Sequence, residues 1–111
     1  SQIVGPAWTA EILFTARRLS AAEALSIGLV NRVVASDRLE NEVTALARAI
    51  VDNAPLTIAA CKAALRESRR DPAKRDVARV TQQVEACFRS DDYREGQRAF
   101  AEKRRPKFSG R

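Results

Sequence analysis

Histidine is absent from this sequence, and with it the side chain that most often moves protons near neutral pH. A serine or cysteine nucleophile paired with an imidazole base is therefore excluded. The two cysteines, Cys61 and Cys87, stand far apart in helical sequence and outside any C-x-x-C spacing. They read as buried free thiols in a reducing compartment, and no metal site is expected. The glycines are only Gly5, Gly28, Gly96 and Gly110, so no glycine-rich phosphate loop is present. Among the 14 carboxylates, Glu40 and Glu42 fall on different sides of a helix and do not form an acid–base pair. Glu23 and Glu40 are placed to cap helices. Glu11, Glu67, Glu85, Glu95 and Glu102 have basic neighbours and read as solvated ion pairs. One constellation is left. Phe100, Lys103 and Arg104 stand at i, i+3 and i+4, where a ring could stack on a nucleobase beside a cation for its phosphate. Spacing alone favours the plainer origin of such triplets, a core anchor next to surface charges.

The elements that must position these residues are nearly all helical. Ala, Leu and Arg are abundant, which suits helices, and 111 residues suffice for one small domain with a modest core. A helix is predicted over residues 6–15, with Ala7, Ala10 and Leu13 or Phe14 on one side. Ser20 and Glu23 form a capping box for a short second helix, which Gly28 stops. Leu29, Val30, Val33 and Val34 make a β-branched run over residues 29–34 that predicts the one short strand. Asp37, with Glu40 as partner, is expected to cap a helix over 38–53 carrying Leu39, Val43, Leu46, Ala47 and Ile50 as an apolar stripe. Asn53-Ala54-Pro55 breaks that helix and starts another to residue 68, whose Ala59, Ala60, Ala63 and Ala64 allow close approach of a neighbour. Asp71-Pro72 ends it. A further helix to residue 89 bears Val77, Val80, Val84, Cys87 and Phe88. The last one is predicted over 92–105, opened by Ser90-Asp91-Asp92 and stopped by Pro106. These stripes do not close on one another and call for a partner surface.

No apolar run approaches the roughly 20 residues that cross a bilayer, and no signal peptide is visible at Ser1. The net charge is +6, with the excess at Lys103, Arg104, Arg105, Lys107 and Arg111. Such a tail attracts nucleic acid, an acidic membrane or a phosphorylated ligand, or simply solvates the end. A small basic helical binding or assembly module is thus the rival class. Against nucleic acid, the cations are intermixed with acids, and Trp8, Tyr93 and Phe100 do not interleave with a basic stripe. With no methionine anywhere, the chain reads as part of a longer one.

Three segments together carry a resemblance. The run from Ser20 through Glu23, Gly28 and Asn31 to Val34 resembles the S-A-x-E-A-x-x-x-G-L-V-N-x-V stretch of the crotonase superfamily, the enoyl-CoA hydratase/isomerase family. Asn53-Ala54-Pro55 with Lys62 resembles the family's next element. Ser90, Asp92, Glu95, Gly96, Ala99, Phe100, Lys103, Arg104, Pro106 and Phe108 match its closing signature. The resemblance implies the C-terminal helical, trimerisation region of a crotonase-like α/β spiral fold, mostly α. Residues 1–36 would end the core, and 37–111 would form the helical oligomerisation region of a trimer or hexamer. It implies an acyl-CoA thioester as substrate, no separate cofactor and a cytoplasmic location. Enoyl-CoA hydration in fatty-acid breakdown is the first expectation; isomerase and hydrolase reactions are alternatives on the same scaffold. Phe100 and Lys103 would contact the adenine and phosphate end of coenzyme A. The family's oxyanion hole and glutamates align upstream of Ser1, so no catalytic residue is carried over.

Overall fold

A computed structural model describes residues 2–111. All regular structure among them is helical: α1 (Gly5–Thr15), α2 (Ala21–Ser26), α3 (Leu39–Val51), α4 (Pro55–Ser68), α5 (Val77–Arg89) and α6 (Asp91–Ala101), with short 3-10 turns at Ser36–Arg38 and Pro72–Lys74. The chain divides into two compact units, one up to Glu42 and one of Val43–Arg111.

In the first unit the capping box forms as expected. The Ser20 hydroxyl accepts from the Glu23 N–H at 3.2 Å, and the Glu23 carboxylate accepts from the Ser20 N–H at 2.8 Å. The same carboxylate takes the Arg17 guanidinium at 3.0 Å, and Arg17 also reaches Glu11 and lies 5.5 Å over the Trp8 ring. The Ser20 N–H, then Arg17, then the Ser20 hydroxyl hold Glu23 down from 4.5 to about 2. Arg17 thus sets which side of α1 is covered. Trp8, Ala10 and Ile12 are half-buried while Ala7, Leu13 and Phe14 are exposed, so of the predicted stripe only Ala10 is partly covered.

Gly28 stops α2 in the left-handed conformation, φ +73°. Its N–H donates to the Leu25 carbonyl at 3.1 Å, and that of Leu29 to Ala24 at 2.8 Å, the paired bonds of a Schellman motif. The Val30 N–H turns back to Ala24 as well. Residues 29–34 accordingly form no strand. Their first donors are spent on α2, and the described residues offer no second strand to complete a ladder. Asp37 does not cap α3 either, because it lies inside the Ser36–Arg38 turn that runs straight into that helix.

In the second unit α4 packs against α5, and α5 touches α6. The small residues of α4 do what their size allows: Ala60 is only 4% exposed. Asp71 caps the 3-10 turn through the Ala73 N–H, Asp76 caps α5 through Arg79, and Ser90 caps α6 through Tyr93. The buried apolar residues among those described are Ala60 and Ala99. Leu39, Val43, Leu46 and Ile50 of α3, and Val77 and Phe88 of α5, remain exposed. Both cysteines are free, and Cys61 is exposed rather than buried, on a face of α4 that nothing in the unit covers. Among the described residues no helix is long and apolar enough to cross a membrane.

Candidate functional site

The second unit carries an apolar groove of about 740 Å³, lined by Ala54, Thr57, Ala60, Cys61 and Ala64 of the α4 region, Val84, Cys87 and Phe88 of α5, Ser90, and Asp92, Tyr93, Gly96, Gln97 and Phe100 of α6, with Phe108 from the tail. Tyr93 and Phe88 meet edge to face, 5.3 Å between ring centres. Phe100 stands on this groove and is 88% exposed in this chain.

Lys103 is not where helical spacing puts it. The helix ends at Ala101, four residues short of the predicted end. Lys103 takes the left-handed conformation, φ +52°. Its N–H donates to the Phe100 carbonyl at 3.2 Å and that of Arg104 to Ala99 at 3.0 Å, a Schellman motif with lysine in the place usually given to glycine. Phe100 and Lys103 are therefore joined across a helix end, not along a helix face. Lys103 is exposed and makes no ion pair among the described residues. Arg104, expected on the same face, is removed from it. Its guanidinium forks onto Glu95 at 2.6 and 3.0 Å and also bonds Glu102.

The residues that build this turn went unrecognised as a group in the sequence. Beyond Lys103 the basic tail folds back along α6, while its cations, Arg104, Arg105, Lys107 and Arg111, stay exposed. Glu95 accepts from the Lys107 N–H at 2.9 Å, and Asp92 accepts from the N–H groups of Ser109 at 2.6 Å and Gly110 at 2.9 Å. The Asp92 N–H in turn donates to the Arg111 carbonyl at 3.1 Å. Phe108 lies against Gly96, where an added Cβ would meet its ring at 3.8 Å, and Gly110 rests on Pro55. Asp92 is 2% exposed and Ala99 only 1%. The visible signal was Asp92 and Glu95, three apart on one helix face, ahead of a proline that turns the chain around.

Arg104, then the Lys107 N–H, hold Glu95 down from 4.5 to about 2, and Glu95 raises Arg104 in return. A carboxylate depressed on folding contributes stability that is complete above its unfolded value and fades as pH falls toward the folded one. The tail is therefore expected to hold firm above pH 4.5 and to loosen progressively toward about pH 2. Exchange of the Lys107 amide proton measures this; protection unchanged between pH 5 and about 2.5 would contradict it.

Chemically the site offers an exposed ring and, just beyond the helix end, an ammonium without an ion-pair partner among the described residues, groups suited to a stacked base and an anion. Among the described residues no group of three or more potential ligands is placed to hold a metal ion.

The helical arrangement of this chain is shared with solved proteins. The sequence model of the enoyl-CoA hydratase/isomerase family matches residues 1–111, and the chain belongs to that family. Carnitinyl-CoA dehydratase from Salmonella typhi is 39% identical over 114 residues, which cover 99% of this chain and 44% of that protein. Among solved structures, the enoyl-CoA hydratase of Bacillus anthracis superposes with a TM-score of 0.89 at 31% identity, covering 99% of this chain and 43% of that one. That of Mycobacterium tuberculosis H37Rv gives 0.88 at 33%, with 99% and 44% covered. The chain thus spans less than half the length of these relatives, and it corresponds to a helical portion of the crotonase fold.

Proposed function

We propose that this chain is the C-terminal, helical part of an acyl-CoA-processing enzyme, first of all an enoyl-CoA hydratase. In this reading residues 37–111 serve self-assembly, as a trimer or hexamer, and hold the nucleotide end of the substrate. The observation that carries the ligand role is the pair at the end of α6: a ring 88% exposed, followed by an unpaired lysine in a left-handed turn. Phe100 stacks on the adenine, and Lys103 meets a phosphate. The exposed stripes of α3 and α5 support the assembly role, since apolar faces of this extent are normally covered.

The chemistry is assigned to residues outside this chain. A sample with the intact mass of these 111 residues is expected to leave crotonyl-CoA unhydrated above a blank. Turnover at that mass would sink the assignment. The 39% identity to a carnitinyl-CoA dehydratase favours a second reading, with a carnitinyl-CoA thioester as the substrate. Comparing turnover of crotonyl-CoA and carnitinyl-CoA by the intact protein decides between the two.

A further inference from the structure

We propose that Glu95 is a positioning residue for the Lys103 ammonium: by clasping the chain just beyond the end of α6, it keeps the Lys103 backbone in the left-handed turn that bonds the Phe100 carbonyl instead of in a continuing helix. The proposal rests on the reading of Phe100 and Lys103 as the pair that holds the nucleotide end of coenzyme A.

The local sequence argues for a longer helix than the one observed. Ala101, Glu102, Lys103, Arg104 and Arg105 are all good helix formers, and no glycine or proline interrupts them before Pro106. Left to propensity, α6 would run on past Lys103. It ends at Ala101 instead, and Lys103 occupies backbone space that a residue with a Cβ rarely adopts. Such a conformation persists only where its surroundings fix it from both sides.

Upstream, the Schellman bonds to Phe100 and Ala99 fix it. Downstream, Glu95 is the carboxylate that holds both Arg104 and the chain beyond it, with Glu102 also on Arg104 and Asp92 on Ser109 and Gly110. Glu95 takes both arms of Arg104, the residue after Lys103, and the backbone N–H of Lys107. A continuing helix would carry Arg104 away from Glu95, because residues nine apart lie two and a half turns from each other. Clasp and helix extension are thus mutually exclusive. The Lys103 ammonium has no ion-pair partner of its own among the described residues, so its place is set by its backbone alone.

The test measures binding of coenzyme A and of 3′-dephospho-coenzyme A to the intact protein, for the parent and for Glu95→Gln, Lys103→Ala and the double variant. Glutamine still accepts the Lys107 N–H but gives up the charged fork onto Arg104. The preference for coenzyme A is expected to fall about tenfold in Glu95→Gln, with dephospho-coenzyme A little changed. The double variant should show no further loss beyond Lys103→Ala, which is the mark of two residues acting as one unit. Loss of the preference in Lys103→Ala but full retention in Glu95→Gln overturns the positioning role and leaves the ligand reading standing. Retention in Lys103→Ala itself overturns both. If Glu95→Gln does not fold, Arg104→Gln opens the clasp from its other side with Glu95 still bound to Lys107, and the same fall is expected. A merely structural role would weaken both ligands alike and leave the preference where it was.

Discussion

Asp92→Ala is expected to destabilise the fold by about 2–3 kcal/mol, the largest effect of any single polar replacement in the chain. The carboxylate is 2% exposed and accepts from two consecutive backbone N–H groups, those of Ser109 and Gly110. Alanine leaves those donors without their acceptor; Ser109 is exposed and Gly110 half-buried, so part of the desolvation cost of each group is felt. It also frees the last residues to leave α6, which uncovers Gly96 and the groove wall formed by Phe108. Thermal unfolding of the intact protein reads the effect, with a fall in Tm of several degrees at this size. Asp92→Asn sharpens the assignment. It keeps the shape but presents a donor to one of two donors, so most of the loss should remain. A Tm within a degree of the parent in both variants would mean that the tail is not fastened by this residue.

Lys103 sets up the second large effect, in which stability and binding move in opposite directions. Lys103→Gly removes a Cβ from a left-handed turn at φ +52°, which stabilises the helix end by about 0.5–1 kcal/mol. The same change deletes the unpaired ammonium. Binding of coenzyme A is expected to weaken about 10- to 100-fold, the range of a lost charge-assisted bond to phosphate, while 3′-dephospho-coenzyme A loses little. Calorimetric titration alongside a melting curve measures both. A variant that is more stable and binds both ligands as the parent does would remove Lys103 from the ligand site. Unchanged stability would remove the strain at this turn.

These two residues mark the limits of what the sequence displays. Local signals were legible. Ser20 with Glu23, Gly28, Pro55 and Ser90 act within a few residues of their partners, and the helix starts and stops they dictate are found. The last helix was misjudged for the opposite reason. Propensity carries it to residue 105, whereas a carboxylate eight residues before Lys103 and a tail folding back over 17 positions end it at Ala101. The strand over 29–34 failed on the same ground, since β-branched composition supplies only half of a ladder. Phe100 and Lys103, singled out by spacing and given a ligand role by the resemblance, are joined by a backbone turn instead of the helix face that suggested them. Arg104 was wrongly grouped with them because a free cation and one clasped by Glu95 are spelled alike.

The fastening of the tail has a consequence for how this region tolerates change. Asp92 and Glu95 bind it mainly through main-chain groups, the N–H of Lys107, Ser109 and Gly110. Every residue type but proline presents the same donor there, so the side chains of Lys107 and Ser109 are free to drift. The spacing is not free. Removing one residue between Arg104 and Lys107 shifts each donor past its acceptor at about 3.3 Å per position, and both carboxylates lose their partners together. In this stretch a deletion is far more damaging than any single replacement except one that introduces proline; the chain is read by its length, like a strap punched at fixed holes.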